Sequence, residues 1–192
     1  MIQKNASLSN FYSFIQPQFL TFFIIVFVTF LNGQAYIDGN LIWLPIGAVS
    51  LCYLLFGFRV FAAVFFAITA SSLWFHDSTF SGINLLHFVG TFAPLLAIAS
   101  MKFFKLSNFF DGEKLVFQHL LFLAILTALY NTLMKFFVYS YFSDNPSSIN
   151  ALQFIQNYLI GDILGCLTVL FFAALVIVPV IRYFFPKSAP LE

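Results

Sequence analysis

Apolar stretches of about twenty residues follow one another along nearly the whole chain, separated only by short polar links. Each stretch is long enough to cross a hydrocarbon core of about 30 Å as a helix, and no link has room for a soluble domain. Lipid offers no partner to backbone N–H and C=O groups, so such a chain must satisfy them internally, as helices. The reading is an all-α, polytopic transmembrane bundle in contact with the lipid bilayer. Composition supports it: 8% of residues are charged, where soluble domains have about 25%. The formal net charge is +1 and the basic residues are scattered, so no basic face exists for nucleic acid.

Six helices are expected, at about Gln18 to Ala35, Leu41 to Phe56, Arg59 to Phe75, Ile83 to Phe104, Leu115 to Tyr141 and Leu152 to Phe184. They form one domain over residues 18–185, preceded by a polar leader over 1–17 and followed by a short tail over 186–192. The link "FGFR", Phe56 to Arg59, is short enough to make segments two and three a tight hairpin whose members lie side by side. Lysine and arginine are retained on the cytoplasmic side of short loops. Lys4, Arg59, the group Lys102, Lys105 and Lys114, and the pair Arg182 and Lys187 all fall on one side of this alternation, while Asp38, Asp77 and Asp144 occupy the links of the other. Both termini are therefore expected in the cytoplasm. Phe19 to Ala35 also has the form of a signal-peptide core ending in Gly33 and Ala35, but Lys4 lies far upstream, which favours retention.

Two charges stand at membrane depth, Lys135 in segment five and Asp162 in segment six. An ion at the centre of a membrane helix costs about 2.5–3.5 kcal/mol on insertion scales, so each should face protein or water and find a partner. Counting from the outer ends at 1.5 Å per residue puts them roughly 10 and 15 Å deep, and the antiparallel neighbours can bring them together. A Lys135–Asp162 pairing is expected, with Asn131 one turn away on the same face. Gly161 and Gly165 allow another backbone to come close, and Asn157 is grouped with them. The competing explanation is that the charges only fasten two helices, or that Lys135 snorkels to the outer interface and Asp162 caps a break in its helix. In segment two, Trp43 suits an interfacial anchor and Pro45 with Gly47 can loosen local hydrogen bonding, while Gly57 permits a turn that Arg59 orients.

Nothing else carries chemistry. His76, His87 and His119 fall at different depths and do not suggest one metal. Cys52 and Cys166 lie in apolar runs without CxxC or Cys/His spacing and are read as small packing residues. There is no Gly-rich phosphate loop, GxSxG elbow, HExxH or acid pair. No catalytic residue, cofactor or metal is expected. The 30 phenylalanines are read as lipid-facing and packing residues.

Three patterns together resemble the first class of membrane-associated sensor (MASE) domains: "WLPIG" (Trp43 to Gly47), "LFGFR" (Leu55 to Arg59) and "GDILG" (Gly161 to Gly165), in the family's order. Leu44 stands where that family has the first of two adjacent prolines, and Tyr158 and Leu159 stand where it favours tryptophans. The resemblance implies a sensory input module of the bacterial inner membrane that reports to a kinase or cyclic-dinucleotide output, either on a separate partner or on a part of the protein beyond this sequence. The expected function is a sensor or receptor that takes a small ligand or a partner membrane protein into an outer-half cavity. Asp162 would be its central polar contact and Lys135 the counter-ion, with Asn131, Trp43, Pro45, Gly161 and Gly165 shaping it. A substrate-binding component of a small-molecule transporter, or a structural subunit of a membrane complex, are the alternative expectations.

Overall fold

The computed structural model describes residues 2–34, 42–75, 83–106, 117–142, 151–177 and 179. Among them every regular element is helical: α1 (Ile2–Gln34), α2 (Leu44–Phe56), a 3-10 turn (Gly57–Val60), α3 (Phe61–Phe75), α4 (Ile83–Phe103), α5 (Phe117–Phe142) and α6 (Ala151–Phe172), which runs into a π-helical turn (Ala173–Ile177). Four stretches are long and apolar enough to cross a membrane, Ile15–Gly33, Leu44–Trp74, Phe117–Tyr141 and Ala151–Ile177, and Phe88–Phe103 is a shorter apolar helix. The links with Asp38, Asp77 and Asp144, and also Lys114, Arg182 and Lys187, lie outside the described residues.

Two sequence expectations change in detail. The helix of the first segment starts at Ile2 and runs through the expected leader, with Pro17 inside it. Serine and asparagine lower helix propensity by only tenths of a kcal/mol, and adding residues to an existing helix avoids the nucleation cost. The "FGFR" link does reverse the chain, at Gly57 with φ +70°, a backbone angle that glycine adopts without a Cβ penalty. Ile68, Ser71 and Ser72 near the end of α3 consequently line the same cavity as Trp43 and Pro45 beside the start of α2. The two arms do not lie side by side, however. Among the described residues α2 packs mainly on α6 and α1, and α3 on α1 and α4. The four-residue 3-10 turn spaces the arms widely enough for both to use α1 and α4 as neighbours.

Helix α2 is the central element, buried without interruption from Pro45 to Ser50. The core it shares with the other helices includes the small or branched side chains of Ala97, Ala124, Cys166, Ile25 and Leu170. Small residues allow close backbone approach, which matters where lipid is as apolar as the core. Both cysteines are free and buried. The large aromatics are turned outward: Phe19, Phe23 and Phe27 form an exposed stripe at four-residue spacing along α1, and Phe66, Trp74, Phe137 and Phe172 are exposed too.

Charge collects at one end of the bundle. Lys102 Nζ lies 6.0 Å from the centroid of the Phe58 ring, and Gln18 Nε2 donates to the Arg59 carbonyl at 2.6 Å. The turn after α2, the last turn of α4 and the start of the apolar part of α1 therefore share a level, which includes exposed Arg59, Lys102 and Lys105.

Candidate functional site

The site is built at the opposite end, around the first turn of α2. A helix start leaves N–H groups without intrahelical partners, which is costly in a dry interior. Here Trp43 N donates to the Gly161 carbonyl at 2.9 Å, and Leu44 N donates to Asn32 Oδ1 at 2.8 Å. Pro45 follows, in the first turn, where the missing proline N–H needs no partner. Pro45 thus fits the helix start and does not loosen it. Asn32, buried on α1, caps α2 from a neighbouring helix. Asn32→Ala is expected to cost about 0.5–2 kcal/mol of stability, read as a lower midpoint of denaturant unfolding in bicelles.

The same turn presses on α6. A Cβ at Gly165 would overlap the carbonyl group of Trp43. One at Gly47 would stand 2.7 Å from the Gly165 carbonyl oxygen and 2.9 Å from Cys166 Cα. Gly47 and Gly165 are thus a backbone contact seam between α2 and α6. Gly161 joins it through its carbonyl.

Asp162 sits beside this seam and is 1% exposed. Its hydrogen-bond partner is Asn131, while the expected Lys135 interacts with it through charge at longer range. Asn131, also 1% exposed, donates through Nδ2 to Asp162 Oδ2 at 2.5 Å. The Lys135 ammonium instead lies over the Tyr158 ring, 5.1 Å from its centroid, near enough to Asp162 to act on it electrostatically. The short asparagine, one turn from Lys135, reaches the carboxylate directly, while the longer lysine stem passes Gly90 on its way to the aromatic face. The expected grouping of Asn157 also changes: Asn157 is exposed whereas Asp162 is buried. Five positions at 100° per residue leave the two about 140° apart around the helix.

A crevice of about 40 Å³ opens beside this group. Trp43, Pro45, Ile46, Val49 and Ile68 give it apolar walls, and Thr29, Ser71, Ser72, Gly90, Asn131 and Lys135 complete it. Four of the expected site residues, Trp43, Pro45, Asn131 and Lys135, are brought together there. Asp162 lies behind the wall, holding Asn131, and Gly161 and Gly165 belong to the packing seam. Thr29, Ser71, Ser72 and Gly90 were not anticipated. The signal available for Ser71 and Ser72 was a pair of adjacent hydroxyls in an otherwise apolar segment.

Asn131 Oδ1 and Ser71 Oγ are buried without a hydrogen-bond partner, and both residues line the crevice. An unpaired buried polar group costs about 1–3 kcal/mol. Two such residues therefore border one space. Among the described residues no group of His, Cys, Asp and Glu side chains is arranged to hold a metal ion. His119 lies half-buried on α5, His76 is outside the described residues, and so is the side chain of His87. No family model, no curated protein and no solved structure matches this chain.

Proposed function

We infer that the chain is a multi-pass membrane receptor or sensor-like module, which admits a small ligand to the crevice lined by residues of α1 to α5 and passes the event to a signalling partner. The observation that carries this reading is that two residues with an unpaired buried polar atom, Asn131 and Ser71, line one cavity. A ligand that prefers one packing of these helices shifts their equilibrium by the difference in its affinity for the two arrangements. Helix α2 is suited to relay such a shift, because it joins the crevice to the Gly57 turn and Arg59. The resemblance to MASE domains supports a bacterial inner-membrane setting and a cytoplasmic signalling partner. Native mass spectrometry of protein extracted in lipid discs is expected to show a retained small molecule that is absent from Asn131→Leu. A spectrum of bare wild-type protein, with no binding on titration, would remove the receptor reading.

The topology belongs to the same proposal: six crossings, both termini cytoplasmic, with the crevice in the outer half. The gathering of Arg59, Lys102 and Lys105 at the end away from the crevice supports it. Single cysteines placed at Asp38, Asp77 and Asp144 in a variant lacking Cys52 and Cys166 are expected to react with an impermeant maleimide from outside intact cells. Cysteines at Arg59, Lys105 and Lys187 should react only after permeabilisation. The reverse pattern would invert the bundle.

A further inference from the structure

The crevice carries enough polarity to specify a chemical class of ligand. Its acceptor pole is fixed by Asp162. The Asn131 amide turns its nitrogen to Asp162, whose carboxylate accepts the bond, and keeps its oxygen on the other side. That oxygen faces Gly90, where a Cβ would stand 3.2 Å from it. A side chain at Gly90 would therefore crowd Asn131 Oδ1, which is buried and has no hydrogen-bond partner. Thr29, on α1, spends its proton on the Ile25 carbonyl at 2.8 Å, which leaves its oxygen as a second acceptor. Ser71 Oγ is unpartnered and can donate or accept. The guest must therefore donate at least one hydrogen bond.

Charge then narrows the class. Lys135 on the wall disfavours a cation, and Asp162 behind Asn131 disfavours an anion. The opposed pair leaves no net charge for a guest to neutralise, and a lone ion brought into a dry site would lose its hydration without compensation. Size narrows it again. About 40 Å³ holds a few waters' worth of volume, well below the roughly 300 Å³ at which pockets for drug-sized molecules begin.

We propose that the crevice selects a compact, uncharged group that donates a hydrogen bond to Asn131 Oδ1 and exchanges one with Ser71 Oγ, the chemistry of a primary amide, a urea or a short alcohol. The proposal rests on the receptor reading and specifies its ligand. In this scheme Asp162 is a positioning residue that holds the amide, and the Asn131 oxygen makes the contact.

The test uses three molecules of nearly one shape and different charge: acetamide, acetate and acetamidinium. The full chain in lipid nanodiscs is titrated with each while NMR follows the Gly90 backbone amide and the Asn131 side-chain amide. Acetamide is expected to shift both signals saturably, with a Kd on the order of 1–10 mM, typical of very small ligands, and its charged relatives to bind at least about tenfold more weakly. Ser71→Ala removes only an unpartnered hydroxyl, so it should fold normally and weaken acetamide about three- to tenfold. Gly90→Ala should weaken it further by crowding the Asn131 oxygen. Tighter binding of acetate or acetamidinium would overturn the neutral class while leaving the crevice a ligand site. Acetamide affinity unchanged in both variants would place binding elsewhere and overturn the assignment of these residues. No saturable shift with any of the three would overturn the proposal, and together with a bare native mass spectrum it would overturn the receptor reading as well.

Discussion

Gly165→Ala is expected to cost about 3 kcal/mol or more, at or beyond the upper end of the 1–3 kcal/mol usual for overpacking. The added methyl meets backbone, where overpacked cores usually yield by moving a side chain. It would overlap the Trp43 carbonyl and come 2.9 Å from Leu44 N. Trp43 cannot swing away freely, because its N–H is bonded to the Gly161 carbonyl and the next N–H is held by Asn32. Relief requires the start of α2 to leave α6, which would break these bonds and open the crevice. Gly47→Ala attacks the same seam from the other side, 2.7 Å from the Gly165 oxygen, and should cost about 2–3 kcal/mol. Once either methyl has parted the helices the second has less to disturb, so the double variant should fall short of the sum by roughly 1 kcal/mol or more. Gly33→Ala is the control: no atom lies within 4 Å of its added Cβ, and its stability should stay within about 0.5 kcal/mol of wild type. Equilibrium unfolding in bicelles against added SDS ranks the four proteins. A Gly165→Ala protein as stable as Gly33→Ala would mean that the seam is loose.

The helical class was legible because membrane helices announce themselves by length and hydropathy alone, as at Phe19 to Gly33. The need of Asp162 for a partner was legible for a similar reason: a carboxylate among isoleucines and leucines needs one, whatever the fold. Which partner it takes was not legible. Lys135 and Asn131 are one turn apart on the same face of α5, and the outcome depends on side-chain reach and on the position of the Tyr158 ring. The lysine keeps a charge interaction with the carboxylate, while packing gives the hydrogen bond to the amide. The hairpin at Gly57 was readable from the glycine and the short link, but the spacing of its arms depends on α1 and α4, which local sequence does not encode. Asn32 was hidden for the opposite reason. It caps α2 across a gap of twelve residues, and the capping rules that can be read along a sequence concern adjacent residues.

The second large effect separates the structural worth of the Asn131–Asp162 bond from its functional worth. Asn131→Leu leaves the Asp162 carboxylate buried with only the field of Lys135 to compensate it, and should cost about 2–4 kcal/mol, since breaking one side of a buried charged contact removes the bond and keeps the desolvation. Asp162→Leu leaves only a neutral amide short of a partner and should cost less, about 1–3 kcal/mol. In the double variant both polar groups are gone, two apolar side chains meet between α5 and α6, and the cost should fall below that of Asn131→Leu alone. A membrane interior accentuates this contrast, because no water is at hand to solvate the orphaned group. Ligand binding should follow the opposite logic. Acetamide affinity should be lost whenever Asn131 is replaced, in the stable double variant as much as in the damaged single one. In Asp162→Leu the released amide can turn its nitrogen to the crevice, so binding should weaken there while the residue that touches the ligand is still present. A double variant that is stable yet still binds acetamide with wild-type affinity would show that the polar pair fastens α5 to α6 and does nothing more.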